Sequence, residues 1–291
     1  MATVLDTTWD CSRVIECLKQ SGYDTVVRYY SRSDWKRLSQ AEATALGRAG
    51  MRLAVVYQNR QNQPADFTAA AGEAAGRAAD DYARNVIFQP AGSAIYFSVD
   101  FDAGAREIES NVIPFFQGVA RGLSTSAGGT ADYLVGVYGS GRVCRTIVDA
   151  GLAQFAWLAQ SRGWSEYQNY LAGRQWHLKQ NMPATVCGLD CDPDETNPDR
   201  PDFGSFLLDP DSMGQGIAPR PAPVTAARFV VNARGGLRLR SGPSTDFDVR
   251  SVLSAGTTVW LLSRTGEWAL VDLNGDGLAD GYCYASFLRP L

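Results

Sequence analysis

The sequence predicts an α/β protein, a (β/α)8 TIM-like barrel, followed by a small all-β barrel at the C-terminus. Three observations carry that prediction. Short apolar runs alternate with amphipathic or alanine-rich stretches through residues 1–208. A segment with Pro210, Pro219, Pro221 and Pro223 then breaks the pattern over 209–226 and reads as an extended linker. Beyond it, 227–291 consists of short strand-like runs separated by Gly, Pro, Asn and Asp turns. Alternating strands and helices call for a parallel sheet, and eight strands close a barrel of about 250 residues. An open doubly wound sheet competes, but no Gly-x-Gly-x-x-Gly follows the first strand.

Taken in order, the expected strands are 4–6, 25–30, 52–58, 94–100, 133–138, 154–159, 174–178 and 187–190. Each is a short, mostly apolar run of the kind a buried parallel strand requires. Helices are expected over 12–21, 39–49, 67–84, 105–122 and 142–150. The second opens on Ser39-Gln40-Ala41-Glu42, which fits a capping box. Gly22, Gly50 and Gly151 stand where helix C-terminal signals belong. The final helices of the barrel look short or missing. In the C-terminal region the strands are 229–231, 237–240, 250–253, 258–262, 268–271 and 281–284.

Composition narrows the function. The chain has 291 residues, 45% of them hydrophobic, and a net charge of −4. Neither that charge nor any Lys/Arg cluster suits a nucleic-acid surface. No stretch approaches the roughly 20 apolar residues of a membrane span. The N-terminus lacks the basic and apolar regions of a secretory signal. The expectation is therefore synthesis in the cytoplasm without a signal peptide, with any action on a cell wall following leaderless export or lysis. A monomer is expected. The six cysteines show no Cys-x-x-Cys pair and are expected as reduced, buried thiols. With one histidine, His177, a zinc set is hard to assemble, and that residue is expected to be structural. No Gly-x-Ser-x-Gly elbow and no phosphate-binding Gly-x-x-x-x-Gly-Lys loop are present.

The most telling segment is Ala94-Ile95-Tyr96-Phe97-Ser98-Val99-Asp100-Phe101-Asp102. It is an apolar run ending in two carboxylates, which an extended strand would point the same way. Barrel sites form at the C-terminal ends of strands. Those ends supply Asp6, Asp100, Asp102 and Asp190 as candidate catalytic acids. Arg28, Tyr30, Gln58, Tyr138, Trp157, Gln175 and Trp176 join them as candidate substrate-binding groups. Crowded carboxylates raise one another's pKa and keep one protonated near neutrality. Acids amid aromatics suit glycoside hydrolysis, which uses a carboxylic acid and a second carboxylate across one bond.

These residues resemble a known family. Leu5-Asp6-Thr7-Thr8-Trp9, Ser98-Val99-Asp100-Phe101-Asp102, Val137-Tyr138-Gly139 and Gly188-Leu189-Asp190 are similar to motifs of the family 25 glycoside hydrolases, the lysozyme-like muramidases. More closely, residues 4–205 resemble the glycoside-hydrolase-like domains of the Rv2525c type. The resemblance implies that Asp102 protonates the leaving oxygen, standing where the muramidases carry Glu. It implies that Asp100 assists attack at the anomeric carbon by orienting the substrate's N-acetyl group. Asp6 and Asp190 would position the site and tune its charge.

The C-terminal region resembles bacterial SH3 domains through Leu237-Arg238-Leu239-Arg240-Ser241-Gly242-Pro243-Ser244, Glu267-Trp268 and Asp280-Gly281-Tyr282. Such domains commonly bind cell-wall peptides. Within it, Asp272, Asn274, Asp276, Leu278 and Asp280 match the spacing of a calcium loop, with Cys283 where the bidentate Glu belongs. A Gly/Asn/Asp-rich hairpin turn is the alternative. No cofactor is expected for catalysis. The expected function is hydrolysis of peptidoglycan glycan strands, with the SH3 domain as wall anchor. A glycan-binding protein without turnover and a glycosidase on another polysaccharide stand as alternatives.

Overall fold

The computed structural model describes residues 3–126, 131–209, 227–240, 243–245, 247, 249–273 and 280–291. The chain divides into two compact units, Met1–Ile217 and Ala218–Leu291. The expected linker, 209–226, lies outside the described residues apart from Asp209.

In the first unit the elements run β1 (Thr3–Asp6), α1 (Ile15–Gln20), β2 (Thr25–Tyr30), α2 (Gln40–Arg48), β3 (Arg52–Tyr57) and α3 (Ala69–Tyr82). There follow β4 (Ala94–Ser98), α4 (Ala105–Glu107), α5 (Ile113–Ser126), β5 (Leu134–Gly139), α6 (Gly141–Asp149) and β6 (Phe155–Leu158). The unit ends with α7 (Tyr167–Ala172), β7 (Leu178–Gln180), β8 (Ala184–Val186) and β9 (Leu189–Thr196). Between α4 and α5 the helix passes through a π-helical stretch, Ile108–Val112. The widened ladder lies just ahead of Pro114, which has no N–H to donate.

Strands β1 to β7 pair in sequence and are all parallel. The ring is closed by β9, which lies antiparallel to both β7 and β1. The expected (β/α)8 arrangement is therefore corrected to a mixed eight-stranded barrel. The reason lies in chain length. A parallel crossover takes a dozen or more residues, but only 181–188 separate β7 from β9, and they form a hairpin with β8. Cys187 (φ 55°) and Gly188 (φ 78°) sit at its turn with the positive φ values that a type I′ turn needs.

Side chains alternate in and out along each strand. Val4, Val27, Ala54, Val56, Tyr96 and Trp157 fill the barrel interior, with Phe203 also in that cluster. A Cβ on Gly136 would lie 2.4 Å from the Tyr96 ring, so this position of β5 admits only glycine beside that ring. After β9 the chain returns to the N-terminal side of the sheet. There Gly204 accepts from Ala94 N, and Phe206 exchanges backbone bonds with Leu53.

Helix α2 shows how a local signal was partly diverted. Ser39 caps it, accepting from Glu42 N at 3.1 Å. Glu42 does not complete the capping box. Its carboxylate holds Arg28 through bonds of 2.7 and 3.0 Å, with both side chains about 1% exposed.

The second unit is an all-β sheet ordered β12–β11–β15–β14–β13–β10–β16. Its strands are β10 (Arg228–Val231), β11 (Leu237–Arg240), β12 (Val249–Leu253), β13 (Thr258–Thr265), β14 (Trp268–Asp272), β15 (Gly281–Tyr284) and β16 (Leu288–Pro290). Val231, Leu237, Leu239, Val259, Val271 and Cys283 belong to its core.

Candidate active site

The C-terminal ends of the parallel strands surround a cavity of about 270 Å³. It is lined by Tyr29, Val56, Gln58, Ser98, Asp100, Tyr138, Trp157, Gln160, Ser161, Gln180 and Asp192. Two carboxylates thus face one space, Asp100 following β4 and Asp192 on β9.

Asp192 belongs to a cluster. Register places it opposite Asp6 and places Asp194 opposite Val4. Gln180 Nε2 donates to Asp6 Oδ2 at 2.8 Å and to Asp192 Oδ2 at 3.0 Å, bridging the two acids. Tyr29 OH donates to Asp6 Oδ1 at 2.9 Å. Trp157 Nε1 donates to Asp194 Oδ1 at 2.7 Å, whereas Asp194 Oδ2 is buried without a hydrogen-bond partner among the described residues. Burial and then the charge of Asp192 push the Asp6 carboxyl up to about 7. Burial likewise raises Asp192, and burial followed by the Asp6 charge raises Asp194 well above its ordinary value. Neutral donors alone serve this trio of carboxylates among the described hydrogen bonds. Burial therefore raises all three pKa values, and mutual repulsion adds to the rise at Asp6 and Asp194, taking Asp6 to about 7.

Asp100 has a different setting. Burial raises its pKa, while a 3.2 Å bond from Gln58 Nε2 and the charge of Lys36 pull it back. Lys36 is itself buried, donates to Gln58 Oε1 at 3.2 Å, and lies 5.1 Å from the Tyr29 ring centroid. The cavity therefore offers a proton-rich acid cluster on one wall and a carboxylate steadied by a cation on the other.

The structure brings Gln58, Asp100, Tyr138 and Trp157 to the cavity, with Asp6 directly behind Gln180 and Tyr29. Six other candidates lie elsewhere and are corrected here. Arg28 and Tyr30 point out of the barrel because they alternate with the inward-facing Tyr29. Arg28 is locked on Glu42 and on the carbonyls of Thr7 and Lys36, and Tyr30 OH donates to Gln89. Gln175 and Trp176 precede β7, at the opposite end of the barrel, where Trp176 Nε1 donates to Leu171 O. Strand β4 ends at Ser98, so Asp100 and Asp102 do not share a strand face as expected. Asp102 is exposed and accepts from Ser165 N at 2.8 Å, away from the cavity lining. Asp190 is exposed in the β8–β9 hairpin and accepts from Thr185 Oγ1.

Asp192 and Asp194 lie beyond the expected last strand, 187–190, because β9 runs on through Leu189–Thr196. The alternation Asp190-Cys191-Asp192-Pro193-Asp194 carries the signal, since acids two apart share one face of an extended strand. His177 sits at the N-terminal side of β7, its Nδ1 accepting from Ala156 N at 3.1 Å, and burial lowers its pKa to about 4.

The cysteine expectation is corrected in part. Cys17 in α1 and Cys187 in the hairpin turn form a disulfide, while Cys11, Cys144, Cys191 and Cys283 are free and buried. Of the calcium-loop residues, Asn274, Asp276 and Leu278 lie outside the described residues. Asp272 is buried, and Asp280 Oδ2 accepts from Leu273 N at 2.6 Å. Among the described residues, no helix is long and apolar enough to cross a membrane.

The barrel with its clustered acids and the all-β unit that follows it correspond to two matched families. The chain belongs to the family described as the Rv2525c-like, glycoside hydrolase-like domain, whose model matches residues 16–190. Residues 235–289 match the bacterial SH3 domain. Among relatives, a stretch of 181 residues is 29% identical to the uncharacterized protein YbfG of Bacillus subtilis (strain 168), covering 59% of this chain and 25% of that protein. The uncharacterized protein FadG of the same organism is 28% identical over 176 residues, covering 59% of this chain and 30% of that one. The matches thus span only a quarter to a third of those relatives. Among solved structures, the Tat-secreted protein Rv2525c of Mycobacterium tuberculosis shares the fold, with a TM-score of 0.57 and 21% identity. That likeness covers 70% of this chain and 98% of that one.

Proposed function

We propose that the protein hydrolyses glycosidic bonds in peptidoglycan glycan strands, with its SH3 domain holding it on the wall. The observation that carries this reading is that Asp100 and Asp192 line one cavity, with Asp6 paired opposite Asp192 and Asp194 on the same strand. In this mechanism the cluster of Asp6, Asp192 and Asp194 keeps a proton near neutral pH. Asp192 is its member at the cavity and delivers that proton to the leaving oxygen. Asp100, steadied by Gln58 and Lys36, is the carboxylate that assists attack at the anomeric carbon. Tyr29, Tyr138 and Trp157 give the sugar an aromatic wall. Attachment through a second domain raises the local concentration of an insoluble substrate.

The test is release of reducing ends from purified peptidoglycan. Asp100→Asn and Asp192→Asn should each lower it by about a hundredfold or more, with thermal melting unchanged. Asp102→Asn should stay near wild type, because Asp102 caps the Ser165 amide and is absent from the cavity lining. Full activity in both Asp100→Asn and Asp192→Asn would sink the proposal. Asp102 stands where the resemblance to the muramidases implies the acid, and its engagement with the Ser165 amide favours a second reading as a glycan-binding protein without turnover. Binding of glycan with no product from wild type selects it.

A further inference from the structure

A second cavity, of about 260 Å³, adjoins the first and shares Gln160 and Gln180 with it as a common wall. It lies between the end of β7 and the segment leading into α7. Its chemistry is the reverse of its neighbour's. The acid cavity has Asp100 and Asp192 in its lining and no cation among the described lining residues. The second has Arg162 and Lys179 and, among the described residues, no carboxylate.

The two cations are not equivalent. Lys179 Nζ is paired with Glu195 Oε2 at 2.5 Å, which offsets most of its charge. Arg162 is exposed and has no hydrogen bond or ion pair to any described residue. Tyr167, on α7, and Gln160 offer further polar contacts around it. Gln180 is fully engaged as the divider. Its Nε2 serves Asp6 and Asp192, and its Oε1 accepts from Tyr138 OH at 2.9 Å. In a chain of net charge −4, an unpaired guanidinium one side chain away from an acid cluster points to a ligand that spans both.

We propose that this second cavity is a subsite for a carboxylate carried by the glycan ligand, bound by Arg162, while a neutral sugar ring occupies the acid cavity. The inference deepens the glycosidase reading and rests on it for the placing of the ring. The carboxylate could belong to the sugar itself or to a peptide branch on it, and both present the planar anion that a guanidinium binds through paired hydrogen bonds. Such a division also keeps an anionic group away from the Asp100 carboxylate, which would repel it.

The experiment is a calorimetric titration of the full chain with three probes of equal length. They are a neutral N-acetylglucosamine oligomer, the same oligomer bearing an acidic peptide branch, and an oligouronate. Wild type should bind one anionic probe about tenfold more tightly than the neutral one at low salt. The gap should shrink as salt rises. Arg162→Ala should erase that preference and leave affinity for the neutral probe unchanged, while Arg162→Lys should restore part of it. Which anionic probe gains identifies the source of the carboxylate. Equal affinity for all three probes in wild type, or no binding of either anionic probe, overturns the subsite. So does an equal loss on every probe in Arg162→Ala. The hydrolytic reading fails separately, since an Arg162-dependent preference without reducing-end release removes catalysis and leaves the subsite standing.

Discussion

At the scale of single residues, the decisive feature is a carboxyl held away from its ordinary ionisation. Asp6 is 3% exposed and its pKa stands at about 7, against 3.8 for an unperturbed aspartate. The folded chain therefore binds a proton that the unfolded chain has already lost between those values. The contribution of Asp6 to stability is greatest at the acid end of that window, falls as pH rises through it, and is lost above about 7. One such proton contributes a slope of at most roughly 1.4 kcal/mol per pH unit. Asp6→Asn should flatten the pH dependence of the melting temperature between pH 4 and 7 relative to wild type, as read by calorimetric melting across that range. Part of the slope should survive in the variant, because burial raises Asp192 and Asp194 in the same direction. An unchanged slope would mean that Asp6 is ionised in the fold. The sequence made Asp6 and Asp100 visible because each closes an apolar run. It hid which neighbours face inward, since Tyr29 and Arg28 differ by one position and only pairing register assigns them to opposite sides.

At the scale of elements, helices α3 and α5 pack backbone to backbone through glycines. Gly76 on one meets Gly122 on the other, while Gly72 lies against the Phe115 backbone and Gly118 against the backbone of Ala69 and Glu73. A Cβ on Gly72 would stand 1.9 Å from Phe115 O, and one on Gly118 would stand 2.1 Å from Ala69 O. Substitution by alanine sets two effects against each other. Helix propensity favours Ala by about 1 kcal/mol, whereas overpacking costs about 1–3 kcal/mol or more when backbone must move. With backbone atoms as the obstacle, the clash wins. Gly72→Ala should lower the denaturant midpoint, while Gly163→Ala, with nothing within 4 Å of its Cβ, should leave it unchanged. The four-residue spacing of these glycines is plain in the chain, yet one sequence does not say which two helices face each other. The strands were legible for the opposite reason, because burial on both faces leaves an apolar run whoever the neighbour is. The last strand was not, because acids on its inner face break that run.

At the scale of the whole molecule, the first unit is joined to itself twice at long range. Strand β9 closes on β1, and the Cys17–Cys187 disulfide ties α1 to the hairpin turn across a separation of 170 residues. Disulfides closing long loops typically contribute about 2–4 kcal/mol. Cys17→Ser with Cys187→Ser, or treatment with a dithiol reductant, should lower the melting temperature of the first transition. It should also weaken glycan release more steeply at elevated temperature, because Asp192 lies at the base of the hairpin that the disulfide fastens. A melting curve indifferent to reductant would show that the barrel seam holds without the cross-link. The seam also sets a clock. Asp6 belongs to the first strand and Asp192 to the last, and 185 residues lie between them in the chain. At about 5–20 residues per second of synthesis, roughly 10–40 s pass in which β1 and then β7 present open, hydrogen-bond-hungry edges. The cavity that Asp100 and Asp192 line thus has no complete wall until the closing strand has been made, so a chain stopped short of β9 has the first acid but not the pocket around it.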